Sequence, residues 1–314
     1  MPQNEINRIA IIGTGVIGAS WAAYYLARGL DVVATDPGPA AEANLRRFVD
    51  QAWPALLAQG LSPGGSTDRL KFTTDMKRAV SEAQLIQENA PEKPEFKIKL
   101  FADIDAASAP NAIIASSSSG ITVTVMQSGC KRPERVVLGH PFNPPHLMPL
   151  VEVVGGTKTS PETVERTIAF YRSIGKKPIR LNKEMPGHVA NRLQAALYRE
   201  ILYLIEQGVL DVADADDAVS WGPGLRWGVM GPSLLFHLGG GAGGIQHFME
   251  HLMPAMQQWW GSLGTPSVTP EFTRKVIDGV KREAGAKSVE QLEKARDQML
   301  IELLKVRRKT EGAP

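Results

Sequence analysis

Up to about residue 182, short apolar runs alternate with stretches of helical spacing. That alternation predicts a mostly parallel β-sheet whose strands are joined by helices. The runs predict strands over Arg8–Ile12, Asp31–Thr35, Leu85–Glu88, Ala112–Ser116, Val136–Gly139, Leu150–Val154 and Lys177–Leu181. Ile9 to Ile12 is apolar throughout, as a strand buried on both faces requires. Ala40 to Gly60 reads as a helix despite Pro54. Asn182 to Gly187 marks a boundary, and Pro186 stands where a helix can begin. Val189, Leu193, Leu197, Leu204 and Ile205 then keep helical spacing up to Gly208. Only helices broken at glycine and proline are expected beyond. The last begins at Ser288, with Gln291 completing a capping box. Its stripe of Leu292, Ala295, Met299, Leu303 and Val306 suits a core or a second subunit.

The first strand runs into Gly13-Thr14-Gly15-Val16-Ile17-Gly18. Gly13 permits a tight turn, Gly15 lets a pyrophosphate approach the backbone, and Gly18 lets the next helix pack close. The helix start offers free N–H groups and the positive end of its dipole. The second strand ends in Asp36, at the spacing of a carboxylate that binds both ribose hydroxyls. Asp36 also suits a turn with Pro37, and the two roles are compatible. The acid would repel a 2′-phosphate, and no base follows it directly, so NAD is expected over NADP. The expected fold is therefore α/β. A Rossmann-type, mostly parallel sheet domain occupies residues 1–185, and an all-α domain occupies 186–314.

With 314 residues the chain can hold two sizeable cores. Its net charge of +2 points to neither nucleic acid nor membrane. A single cysteine allows no internal disulfide framework. Cys130 lies beside Lys131 and Arg132, which can lower its pKa, yet it reads as an incidental loop thiol. No apolar signal or spanning segment is evident, so a cytoplasmic protein is expected.

Gly139-His140-Pro141-Phe142-Asn143-Pro144 supplies a candidate general base just past a strand, where open α/β sheets bind ligands. Histidine suits that role because it titrates near neutrality. Glu152, twelve residues on, can orient the ring and stabilise the imidazolium. Base and dinucleotide cradle together suggest oxidation of an alcohol by a nicotinamide cofactor. Taken alone, His140 would read as a turn histidine bonded to backbone.

The chain resembles the 3-hydroxyacyl-CoA dehydrogenase superfamily over nearly its whole length. The matching stretches are Gly13–Gly18, Glu88-Asn89-Ala90-Pro91-Glu92, Ala115–Gly120, Gly139–Pro144, Leu150-Val151-Glu152-Val153 and Pro186-Gly187-His188-Val189-Ala190-Asn191-Arg192. The resemblance implies His140 as catalytic base, Glu152 as its partner, and Ser119 and Asn191 as groups on the substrate. It also implies that Glu92, Lys97 and Asn143 lie near the nicotinamide half of the cofactor, and it suggests a homodimer formed through the C-terminal domain. Without it, Ser119 reads as a solvated loop serine and Asn191 as a polar helix residue.

Two departures bear on substrate. The serine loop reads Ser116-Ser117-Ser118-Ser119-Gly120 where the family usually has Ser-Asn-Thr-Ser-Ser, so the residue facing the substrate can differ. The family's acyl-CoA enzymes carry a lysine-rich helix after the second strand. Here only Arg46 and Arg47 are basic around Phe48–Leu57, which argues against a CoA thioester. Two branches of the family act on free hydroxy acids, the L-carnitine and the L-gulonate dehydrogenases, the latter including lambda-crystallin. Trp53–Leu56, Trp221–Trp227 and His237–Gly244 resemble the carnitine branch most.

A quaternary ammonium cannot donate hydrogen bonds, so aromatic faces must hold it. Trp221, Trp227, Phe236, Phe248, Trp259 and Trp260 are concentrated in the second domain, and Arg226 is a candidate carboxylate clamp. Each aromatic also suits a core or dimer interface. Gulonate, another short 3-hydroxy acid or acyl-CoA, and a non-catalytic NAD-binding role of the lambda-crystallin type remain open alternatives. His247 and His251 are four apart but have no evident third ligand, so no metal is expected. Asp211, Asp214, Asp216 and Asp217 read as helix capping and a solvated face. Gly239–Gly244 follows no strand and reads as a hinge or loop beside the substrate.

Overall fold

The computed structural model describes residues 6–310. The outermost positions of the two expected domains, 1–5 and 311–314, lie outside the described residues. One compact unit reaches to Asn191 and a second begins at Arg192.

Strands β1 (Arg8–Ile12), β2 (Asp31–Thr35), β3 (Leu70–Thr73), β4 (Leu85–Glu88), β5 (Ile113–Ser116), β6 (Val136–Pro141), β7 (Leu150–Gly155) and β8 (Lys177–Arg180) form one sheet. Their order is β3-β2-β1-β4-β5-β6-β7-β8. Every neighbouring pair is parallel except β6 and β7. The order reverses between β1 and β4, so a ligand crevice opens beyond their carboxyl ends.

Helices α1 (Val16–Ala27), α2 (Ala41–Gln59), α3 (Met76–Val80), α4 (Pro94–Ala107), α5 (Val123–Met126) and α6 (Pro161–Ser173) connect the strands. One core, around Trp21, Tyr25, Leu45 and Tyr171, packs on one face of the sheet. The other, around Phe101, Ile104 and Met126, packs on the opposite face. Both faces being covered explains why β1 and β5 are apolar almost without interruption, and why β4 is buried along its whole length although it ends in Gln87 and Glu88.

Two differences from the sequence pattern matter. β3 carries no clear apolar signal, because Lys71 interrupts it and only Leu70 is fully buried. It becomes a strand by pairing along β2, Val32 opposite Leu70. β6 also extends past Gly139 to Pro141, so His140 stands on the strand itself and not in the loop after it.

The second unit is helical: α7 (Ala190–Glu206, its first two residues in the first unit), α8 (Val212–Ser220), α9 (Pro223–Trp227), α10 (Pro232–Gly239), α11 (Gly244–His247), α12 (Met253–Trp260), α13 (Pro270–Ala284) and α14 (Val289–Thr310). A small core of Ile205, Val212, Ala215 and Phe272 joins α7, α8 and α13. Asp211 caps α8 through the Asp214 amide. Ser288 and Gln291 exchange both bonds of a capping box ahead of α14. Cys130 does not become a low-pKa thiol. Burial and the Asp105 carboxylate push it up to about 12, outweighing Arg135.

Candidate active site

The glycine turn after β1 has the stereochemistry that its sequence implies. Gly13 has φ +82°, a left-handed value that suits glycine, and a Cβ there would sit 2.8 Å from the Asn89 carbonyl oxygen. A Cβ on Gly18 would collide with the Gly13 carbonyl, so helix and strand meet there without room for a side chain. At Gly15 a Cβ would meet nothing, and the turn is open on that side. The first-turn amides of α1 have no intrahelical acceptor, and no side chain caps them. Thr14 and Val16 flank this opening, and Ile17 packs against the core.

Asp36 closes the far end of the turn. Its Oδ2 accepts from the Thr14 amide at 2.9 Å and its Oδ1 from the Gly38 amide at 2.9 Å. Each oxygen keeps a lone pair for a ribose hydroxyl. An uncovered cradle, free helix amides and an oriented carboxylate fit a bound dinucleotide.

The reactive array is built by the antiparallel step in the sheet. The β6–β7 register sets His140 directly opposite Glu152. His140 Nδ1 lies 2.9 Å from Glu152 Oε2, and both side chains are buried. A carboxylate only accepts, so Nδ1 carries the proton and Nε2 keeps its lone pair. That nitrogen lies 3.1 Å from the hydroxyl of Ser119, which is solvent-exposed. Glu152 Oε1 accepts from the amides of Val189 at 2.8 Å and Ala190 at 3.0 Å. Burial pushes the Glu152 carboxyl up, but the bonds from His140, Ala190 and Val189 together hold it below the usual carboxylate range.

The serine loop is pinned from below. Glu92 takes the Ser119 amide at 2.7 Å and the Ser118 hydroxyl at 2.8 Å. Lys97 is buried and bonded at 2.7 Å to Glu88, which also accepts from the Ser116 hydroxyl and the Ala90 amide. Lys97 thus acts on the loop through Glu88. Asn143 is exposed, three residues beyond His140, and Asn191 is half-buried in the first turn of α7. Trp221, Arg226 and Trp227 belong to the second unit: Trp221 follows α8, Arg226 and Trp227 end α9, and both tryptophans are exposed. Phe236 and Phe248 stack on each other at 4.5 Å, and Phe248 is buried.

Sequence reasoning passed over Gln87 and His188. Buried Gln87 accepts from the hydroxyls of Tyr25 and Tyr171, and donates to the Ser117 hydroxyl and the Gly139 carbonyl. It therefore joins β4 to both the serine loop and the histidine strand. A glutamine directly after the apolar Leu85-Ile86 pair, inside a strand, is the available signal. His188 has a positive φ, 50°, and follows Gly187 at +74°. Two left-handed residues in succession delay the helix expected at Pro186 until Ala190.

Residues 8–185 match the 3-hydroxyacyl-CoA dehydrogenase NAD-binding domain, and residues 187–287 match the C-terminal domain of the same family. The L-carnitine dehydrogenase of Bacillus cereus is 46% identical over 98% of this chain and 94% of its own length. That of Streptomyces coelicolor is 46% identical over 97% and 95%. Among solved structures, 5-formyl-3-hydroxy-2-methylpyridine 4-carboxylic acid 5-dehydrogenase, an NAD-dependent dismutase, superposes with a TM-score of 0.82. It is 36% identical, with 98% of this chain and 100% of that one covered. The cradle, the paired histidine and glutamate and both family matches lead to one conclusion: the chain belongs to the 3-hydroxyacyl-CoA dehydrogenase family and is an NAD-dependent dehydrogenase.

Proposed function

We propose that this enzyme oxidises the 3-hydroxyl of L-carnitine to the ketone of 3-dehydrocarnitine. The observation that carries the chemistry is the Ser119–His140–Glu152 array at the carboxyl end of the sheet. His140 Nε2 accepts the hydroxyl proton while the C3 hydrogen leaves with its electron pair and C–O becomes C=O. NAD, when bound along Gly13–Gly18 and Asp36, supplies the hydride acceptor. Glu152 stabilises the imidazolium through Nδ1, and the Ser119 hydroxyl and Asn191 amide hold the developing carbonyl oxygen. Glu92, Lys97 and Asn143 order the nicotinamide side of the site. Residues 1–185 form the NAD domain in this reading and 186–314 the substrate and dimerisation domain.

Carnitine is supported by 46% identity over nearly the whole chain to enzymes of that name. Arg46 is engaged by Glu42, and Arg47 by Asn44, so α2 offers little to the phosphates of a CoA substrate. The trimethylammonium group would rest on Trp227 and Trp221, with Arg226 on the carboxylate. A homodimer through the helical unit would cover its exposed Trp221, Trp259 and Met299. A cytoplasmic location agrees with the single cysteine. Among the described residues no helix is long and apolar enough to cross a membrane. A second reading, a dehydrogenase of pyridine carboxylic acids, draws on the 36% identical solved structure that covers 98% of this chain.

The test is NADH formation with L-carnitine, D-carnitine, L-gulonate, 3-hydroxybutyrate, 3-hydroxybutyryl-CoA and the pyridine acid. L-carnitine should give the highest kcat/KM. A CoA thioester or the pyridine acid in first place would overturn carnitine, and silence with all six would overturn the proposed chemistry.

A further inference from the structure

Three buried side-chain polar atoms among the described residues have no hydrogen-bond partner: Arg28 Nε, Gln127 Oε1 and His188 Nδ1. The third lies beside the reactive array. The His188 and His140 rings are 4.8 Å apart, centre to centre. His188 is only 4% exposed, and its Nε2 lies 2.9 Å from the Ser118 carbonyl oxygen. That carbonyl only accepts, so His188 Nε2 carries the proton.

A closed circuit results. From the Ser119 hydroxyl it runs to His140 Nε2, from His140 Nδ1 to Glu152 Oε2, and from Glu152 Oε1 to the Val189 amide. One residue back along the chain is His188, whose ring bonds Ser118, and Ser118 leads by one peptide to Ser119. Both groups that touch the two nitrogens of His140 thus hang on segments joined by this one side chain. The positive φ of His188 directs the next two amides at Glu152 while its ring turns back to the serine loop.

Resting on the reading of His140 as the base, we propose that His188 is a positioning residue. Through its bond to the Ser118 carbonyl, it holds Ser119 and Glu152 on the two ring nitrogens of His140 at once. A cation here would disturb the proton acceptor at this distance. Burial lowers the His188 pKa and the nearby His140 adds to that, against the Ser118 bond, Glu152 and Glu92, so the balance favours the neutral ring. The titratable groups facing it are His140, Glu152 and Glu92.

His188→Phe keeps a ring and removes the N–H. His188→Gln returns an N–H near the original nitrogen. His188→Asn tolerates the left-handed backbone but is too short to reach Ser118, and it replaces the phenylalanine variant if that one fails to fold. The variant without the bond should lose roughly 10- to 100-fold in kcat, the scale of a misplacement near 1 Å. Its affinity for NAD, read by fluorescence, should stay within about twofold, and the primary isotope effect from C3-deuterated carnitine should rise. His188→Gln should recover most of the loss. Turnover within about twofold of wild type, or equal losses in all variants, overturns the proposal.

If wild type oxidises nothing in the panel, the functional reading fails while this inference is still decided by amide hydrogen exchange at Ser119, Val189 and Ala190, which Glu92 and Glu152 hold. Without the His188 bond these amides should exchange roughly 10-fold faster or more, and His188→Gln should restore their protection. Unchanged exchange overturns it.

Discussion

Glu152→Gln is the perturbation that separates charge from shape at this site. The amide has nearly the size of the carboxylate, and its oxygen can still accept from the Val189 and Ala190 amides. Its NH2 must then face His140 Nδ1, where the carboxylate oxygen stood at 2.9 Å. A donor in that place reverses the ring: Nδ1 becomes the acceptor and Nε2 takes the proton. The atom that should receive the hydroxyl proton is then occupied. Wrong tautomer and lost imidazolium stabilisation together should cost roughly 3–4 kcal/mol, or about 10²- to 10³-fold in kcat. The assay is NADH formation under saturating carnitine and NAD, with NAD affinity measured separately and expected to hold. Turnover within about threefold of wild type would show that the carboxylate does not set the tautomer, and the argument from Nδ1 would fall. Stability offers a second readout. A carboxyl held below its ordinary value stabilises the fold above about pH 4 and loses that contribution as pH falls through the lowered folded value. The melting-temperature gap between wild type and Glu152→Gln should therefore narrow in acid, and a gap that widens would contradict the assigned direction.

Asp36→Ala removes the acceptor that Thr14 and Gly38 orient, and should raise KM for NAD by roughly 10-fold or more while relaxing discrimination against NADP. Comparing kcat/KM for the two cofactors checks this, and equal use of NADP by wild type would refute it. Gly18→Ala drives a Cβ into the Gly13 carbonyl, so it should cost about 1–3 kcal/mol and weaken NAD binding, read by thermal unfolding and fluorescence titration. Unchanged melting and affinity would mean that the turn yields freely. Trp227→Ala should raise KM for carnitine by about 10-fold, and KM for an uncharged 3-hydroxy acid of similar size much less. Equal effects on both would remove the cation contact.

The strands that are apolar on both faces were legible because their hydrophobicity does not depend on context. β1 and β2 begin and end where the pattern predicts, and so does β4, whose Leu85 and Ile86 lead into the polar Gln87 and Glu88. The glycine turn was legible too, since close approach of backbones leaves glycine as the only residue that fits. Asp36 and His140 were visible as polar residues at the ends of apolar runs. What these signals could not give was direction and pairing. Nothing within Leu150–Val154 says that β7 runs against β6, yet that reversal sets Glu152 across from His140. β3 exists only because β2 presents a free edge to it. His188, three residues ahead of Asn191, read as part of a helix start. Its left-handed backbone, and its bond to a carbonyl 70 residues away, depend on where the serine loop lies in space. Composition and spacing fix what each segment can bury and where the chain can turn. Which polar groups meet is settled by register and crossover, because these follow from packing the whole sheet and not from any one segment.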